Sequence, residues 1–254
     1  MKDLNFILTK YNIDLENCIA EPFGTGLINN TWKITCGNDA YILQRINANV
    51  FKNPEAIAAN INTMASHLRE HAPAYLFVEP VVAKNGASML YDDENGYFRL
   101  MPFVKNSYTY DVVKNASIAY EAASQFGLFT KLLSGINIDE LQVTIPQFHD
   151  LSFRYEQFED ALMHGNKDRV KEASGSIDFI KSHQHIVETY NKIKENPGFK
   201  LRATHCDTKI SNVLFDKNEK GLCVIDLDTT MPGYFISDVG DMMRTYLSPV
   251  SEEE

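Results

Sequence analysis

The chain has 254 residues, 44% of them hydrophobic, enough to bury a core as one large domain or as two lobes around a cleft. Its 24 basic and 34 acidic residues leave a net charge of −10, which argues against a groove for a nucleic acid backbone, although backbone amides and a divalent cation can still hold a small polyanion. Cys18, Cys36, Cys206 and Cys223 stand far apart with no CxxC pair, and no apolar run reaches the length of a signal peptide or membrane span. The expectation is a cytoplasmic protein with reduced thiols packed in its core.

Strand-like runs alternate with turn signals over the first hundred residues. Cys18 to Ala20, Thr31 to Cys36 and Tyr41 to Ile46 predict three neighbouring antiparallel strands, with Gly37-Asn38-Asp39 as the second hairpin turn. A helix follows, capped by Asn53 with Pro54 at its first position, and Ile57, Ile61, Met64 and Leu68 form its apolar stripe. Phe77 to Ala83 and Tyr97 to Phe103 then complete a five-stranded sheet. From Asp111 the pattern turns helical. One helix is expected from Asp111 to Gly135, one from Asp150 to about Gly165, and a third over 168–195 that Pro197-Gly198 ends. Strands return at Leu201 to Thr204, Val213 to Phe215 and Leu222 to Ile225. The fold class is therefore α+β, with a sheet-rich part over 1–102 and a mainly helical part over 103–254.

The run His205-Cys206-Asp207-Thr208-Lys209-Ile210-Ser211-Asn212 leads into Val213-Leu214-Phe215, and a second strand delivers Val224-Ile225-Asp226-Leu227-Asp228. Phosphoryl transfer needs an aligned acceptor, a group that takes the hydroxyl proton, and cations on the phosphate oxygens. Asp207 suits the proton, Lys209 can reach the transferring phosphate as a point charge, and Asn212 with Asp226 offers the oxygen ligands that magnesium prefers. The loop must present Asp207 and Asn212 to one ATP before the hairpin returns Asp226 beside them. Upstream, Gly24-Thr25-Gly26-Leu27-Ile28-Asn29-Asn30 reads equally as a hairpin turn or as a cradle of backbone N–H groups for phosphates, and the later motif favours the cradle.

These residues resemble the protein-kinase-like aminoglycoside phosphotransferase and choline kinase superfamily through Asp207, Asn212 and Asp226. Within it, Gly26 to Thr31, Tyr41 to Asn47, Val50-Phe51-Lys52, Val224 to Gly233 and Ser237 to Asp241 resemble the bacterial N-acetylhexosamine 1-kinases. The resemblance implies a two-lobed fold: a five-stranded antiparallel N-lobe, a hinge at Met101 to Phe103 that meets adenine, and a helical C-lobe. It also implies ATP and Mg2+ as cofactors, Asp207 as base, Asn212 and Asp226 as metal ligands, and the anomeric hydroxyl of an N-acetylhexosamine as acceptor. A sugar or amino-alcohol substrate is thus the expected partner, with no nucleic acid and no membrane. Choline, homoserine or aminoglycoside kinases, and a non-catalytic nucleotide-binding module, stand as alternatives.

Two departures mark the chain. Where a protein kinase pairs a strand lysine with a helix glutamate, the matching places are Gln44 and Asn60, so a charged phosphate clamp is either missing or supplied by Arg45. Members of the resembled family also continue with further helices beyond the point matching Glu254, which implies an incomplete C-lobe and an expectation of weakened sugar binding with nucleotide binding retained. Asp228 could join a second metal site or hold the loop through hydrogen bonds. Asp238 is expected beneath the catalytic loop, and Arg244 is a candidate for substrate contact. His67 and His71 have zinc-ligand spacing but lack the rest of a zinc motif, and read as solvated side chains near a helix end.

Overall fold

The structure, a computed structural model, describes residues 2–24, 26 and 28–250. Thr25 of the glycine-containing turn, one of the expected nucleotide contacts, lies outside the described residues. A short helix α1 (Lys2–Leu8) opens the chain, and its Ile7 and Leu8 are buried with Tyr11. Five strands follow: β1 (Cys18–Pro22), β2 (Asn30–Cys36), β3 (Asp39–Ile46), β4 (Leu90–Asp92) and β5 (Gly96–Pro102). They form one antiparallel sheet in the order β1-β2-β3-β5-β4. Between β3 and β4 runs α2 (Pro54–His71), with Asn53 before it and Pro54 at its first turn.

The α+β class, with an antiparallel five-stranded sheet followed by a helix-rich part, is observed. Its fourth strand is not where the sequence suggested. Phe77 to Ala83 forms no strand; its Val81 N–H donates to the Leu100 carbonyl of the sheet, and Ala83 bridges to Tyr11 outside it. The apolar run there serves burial rather than pairing, and the edge strand is the short Leu90–Asp92. The sheet separates two apolar clusters by its alternation of side chains. Ile34, Leu43, Phe98 and Leu100 face Ile7, Leu8 and Tyr11. On the other face, Ile46 packs with Ile57, Ile61, Met64 and Leu68 of α2, each worth roughly 1.5–3 kcal/mol of burial. Gln44 and Arg99 sit opposite each other in register on that same face.

Cys18 lies directly opposite Cys36 in the β1–β2 register, with Cα atoms 4.2 Å apart, and the two form a disulfide. The expectation of four reduced thiols is corrected for this pair. Seventeen intervening residues hid a hairpin register that sets the two side by side. Cys206 and Cys223 are buried thiols outside the disulfide, each pushed up to about 12, chiefly by burial, which keeps them unreactive core residues.

Helix α3 (Ala116–Leu132) begins later than Asp111, because Asn115 is the residue that caps it: its side chain accepts from Ile118 N–H at 3.0 Å. Ile118, Ala122, Phe126 and Phe129 then form the buried face. Residues 146–201 make a separate compact unit, distinct from the unit formed by 1–145 with 202–254. That smaller unit holds α4 (Leu151–His164), α5 (Lys167–Glu172), α6 (Ser174–Ser182) and α7 (His185–Glu195). Asp150 caps α4 as expected, accepting from Ser152 and Phe153 N–H groups. The single long helix expected over 168–195 is three: Ala173 closes the first, and the His183 ring takes the Phe179 carbonyl at 2.7 Å in competition with the backbone ladder.

In the larger unit, β6 (Arg202–Thr204) pairs with β9 (Met231–Gly233), and β7 (Val213–Phe215) pairs with β8 (Gly221–Val224). Helix α8 (Phe235–Tyr246) follows. Among the described residues, no helix is long and apolar enough to cross a membrane.

Candidate active site

β6 hands the chain to His205 and Cys206, and Cys206 takes a left-handed backbone with φ +62°. Such a conformation costs a non-glycine residue of the order of 1–3 kcal/mol and persists only where the surroundings enforce it. Here α8 enforces it. Asp238 accepts from the N–H of His205 at 3.0 Å and of Cys206 at 2.9 Å, while Asp241 accepts from the N–H of Thr208 at 2.6 Å. Asp238 thus supports the loop from beneath, and Asp241, which the sequence did not single out for this, shares the task. His205 is buried with its ring against Phe126 and Phe129. Asp207 N–H donates to its Nδ1 at 3.3 Å, so Nε2 carries the hydrogen shared with the Ile225 carbonyl at 3.0 Å.

Held this way, Asp207 opens to solvent with about a quarter of its side chain, 24%. The amide Nδ2 of Asn212 donates at 2.9 Å to both the Oδ2 and the backbone carbonyl of Asp207, and Lys209 Nζ lies 3.3 Å from the same Oδ2. With its nitrogen committed, Asn212 keeps its Oδ1 as the atom suited to a hard cation. The Asn212 carbonyl accepts from Ile225 N–H at 2.9 Å, and so the second strand brings Asp226 in beside it. Asp226 is also left-handed, φ +59°. Asp226 is an exposed residue amid dense protein; crowding, then the charges of Asp228 and Asp207, push it up to about 6 against the pull of Arg99. An amide oxygen and a carboxylate are donors that fit Mg2+, which keeps several ligands from water and phosphate. Among the described residues, no three His, Cys, Asp or Glu side chains form a cage of their own, so Asn212 and Asp226 would supply part of such a shell.

The residues expected to meet the nucleotide are arranged unevenly. Gly24 is left-handed, φ +79°, and a Cβ on Gly24 or Gly26 would meet nothing within 4 Å. Asn29 reaches across 199 residues: its Nδ2 donates to Asp228 Oδ2 at 2.8 Å, while its Oδ1 accepts from Asn47 N–H at 3.0 Å. Asp228 is buried, and its other oxygen forms an ion pair with Arg99, so one hydrogen bond, from Asn29, and one ion pair hold it as the loop-holding reading requires. Gln44 and Arg45 point to opposite faces of β3. Gln44 accepts from Arg99, and Arg45 is exposed. Asn60 is buried and donates to the carbonyls of Gln142 and Thr230 at 2.7 and 3.0 Å. Met101 pairs with Ile42 across the sheet. Phe103 N–H donates to the Ala40 carbonyl, its ring meets Phe23 edge-on, and Lys33 Nζ lies over it at 4.2 Å. Arg244 pairs with Asp241 at 2.8 Å. His67 and His71 stack on each other, and each ring bonds a backbone carbonyl.

Arg99 was not foreseen. The available signal was its isolation, the lone charge in the run Tyr97-Phe98-Arg99-Leu100-Met101.

Residues 19–254 match the phosphotransferase enzyme family. Among solved structures, the chain is similar to an AMP-bound spectinomycin phosphotransferase (15% identity, TM-score 0.60, covering 95% of this chain and 73% of that one). A microcompartment-associated aminopropanol kinase matches at 15% identity and TM-score 0.63, over 95% and 73% of the two chains. An aminoglycoside phosphotransferase from Alicyclobacillus acidocaldarius matches at 14% and 0.63, over 93% and 69%. At these identities the likeness speaks for the fold.

Proposed function

Because the chain belongs to the phosphotransferase enzyme family, we propose that it moves the terminal phosphoryl group of ATP, with Mg2+, onto a hydroxyl of a small molecule. The observation that carries this reading is the meeting of Asp207, Asn212 and Asp226 at the ends of two paired strands, with Lys209 at 3.3 Å from Asp207. The bound cation and triphosphate would supply the electrophilic phosphorus and neutralise its equatorial oxygens. Asp207 orients the acceptor hydroxyl through its solvent-facing carboxylate and takes the proton. Its bond from Asn212 fixes the carboxylate plane, and Lys209 offsets charge beside it. A loose transition state needs this deprotonation only late, so a carboxylate is a strong enough base.

We assign nucleotide contacts to 1–102, at Gly24, Thr25, Gly26, Asn29, Gln44, Met101 and Phe103, and catalysis to 103–254. Arg45, the remaining candidate for such a contact, has the least support, being exposed on the face away from Gln44. For the acceptor, the run from Val224 to Gly233 and the turn from Gly26 to Thr31 favour the anomeric hydroxyl of an N-acetylhexosamine, the most acidic hydroxyl of such a sugar. The neighbours' printed acceptors, spectinomycin and aminopropanol, are hydroxylated amines, and they favour an amino alcohol as the second reading. ATP consumption measured against N-acetylglucosamine, N-acetylgalactosamine, choline, homoserine, aminopropanol and aminoglycosides decides between them. Asp207→Ala is expected to lower kcat by about 10²–10⁴ while Mg-ATP still binds. Unchanged turnover in that variant refutes the assignment of the base.

A further inference from the structure

The two places where the sequence departs from a lysine–glutamate pairing, Gln44 and Asn60, both lead to one segment. Asn60 donates directly to the Thr230 carbonyl. Gln44 acts through Arg99: its Oε1 accepts from Nε at 2.9 Å and from Nη2 at 2.8 Å, and the remaining nitrogen, Nη1, pairs with Asp228 Oδ1. The Arg99 and Asp228 side chains are 3% and 2% exposed. A buried ion pair with one face of the guanidinium occupied by a neutral acceptor has little freedom to rotate. Asn29 takes the second oxygen of Asp228. The Asp226-Leu227-Asp228 turn is thereby fastened from β5, from the glycine-containing turn and, through Thr230, from α2. Its first residue is left-handed, a conformation that does not persist unaided.

We propose that Arg99 is a positioning residue for phosphoryl transfer: aimed by Gln44 and paired with Asp228, its guanidinium fixes the 226–228 turn so that the Asp226 carboxylate meets the metal-nucleotide in place. The proposal rests on the phosphotransfer reading above. Arg99 touches neither the metal nor the phosphates. A neutral Gln44 suits this arrangement because its carbonyl accepts two guanidinium bonds, whereas a lysine there would repel Arg99.

Three variants test it: Arg99→Met, Arg99→Lys and Gln44→Ala. The last leaves both buried charges in place and so keeps the fold even if Arg99→Met does not. Amide hydrogen exchange across 226–230 is measured on the nucleotide-free protein, and ADP binding by calorimetry with and without Mg2+. The expected result is faster exchange at 226–230 in every folded variant. In Arg99→Met, Mg-ADP should bind about tenfold more weakly and metal-free ADP unchanged, with Arg99→Lys between it and wild type; Gln44→Ala, itself an assigned nucleotide contact, is judged by its exchange alone. Unchanged exchange with unchanged Mg-ADP affinity overturns the proposal. Equal weakening with and without Mg2+ in the Arg99 variants also overturns it, since that marks Arg99 as a direct nucleotide contact. A wild-type protein that binds neither form sinks the nucleotide reading instead, while the exchange data still judge the positioning role.

Discussion

The segment from His205 to Thr230 and the turn from Gly24 to Asn30 are both assigned to one nucleotide, yet they are built on opposite principles. The first is over-determined: two buried carboxylates from α8 hold the backbone N–H groups of His205, Cys206 and Thr208, His205 locks the Asp207 N–H to the Ile225 carbonyl, and Arg99 grips the far end. The second has open space over Gly24 and Gly26, and among its described residues the side-chain ties run through Asn29, to Asp228 and to Asn47. Groups that exchange a proton must be placed to a fraction of an ångström, whereas a turn that offers N–H groups to phosphates must first leave room for them. Support is concentrated where the chemistry requires accuracy.

The sharpest way to break this contrast is Asp238→Ala, which strips two buried N–H groups of a charged acceptor and should cost about 2–4 kcal/mol of stability, read by urea unfolding. A change below about 0.5 kcal/mol would mean that the loop holds itself. Next comes Asp226→Asn in metal-free buffer. The folded Asp226 carboxyl is raised to about 6 from an ordinary value near 3.8, so the folded state keeps its proton longer than the unfolded chain. Below pH 3.8 the group is neutral in both states; as pH climbs through 6, ionisation costs the folded state stability. Asp226→Asn removes that cost and tolerates the left-handed backbone, so it should melt higher than wild type at pH 7.5 and converge with it below pH 4. Identical melting curves at both pH values would refute the raised carboxyl. The smallest effects belong to the turn. Gly24→Ala should cost about 1 kcal/mol, because φ is +79° there, while Gly26→Ala should stay within about 0.5 kcal/mol. Equal costs at the two glycines would show that backbone conformation is not what distinguishes them.

Legibility followed the same division. The spacing of Asp207 and Asn212 and the strand that ends at Ile225 could be read directly, because the loop and the hairpin are local. The Asp150 cap and the Pro54 start were legible too, since such signals act within a few residues, although Asn53 makes no side-chain cap bond. What escaped depends on register between distant segments. Cys18 meets Cys36 only once the hairpin is paired, Asn29 meets Asp228 across 199 residues, and Arg99 acquires a partner only when β5 lies against the 226–228 turn. Phe77 to Ala83 misled for a related reason: an apolar run declares burial but not pairing, and Leu90–Asp92 took the edge of the sheet instead. The break of the expected 168–195 helix at His183 followed from local competition for a carbonyl, which periodicity does not register.

The covalent link between β1 and β2 reaches into the laboratory. It closes a loop of about 18 residues that contains the whole glycine turn, a cross-link of a size worth roughly 3 kcal/mol against the unfolded chain. Dithiothreitol or glutathione in a storage buffer would therefore change the tether on the turn while leaving the Asp207 loop untouched. Preparations kept with and without thiols need separate affinity titrations before their nucleotide constants can be pooled.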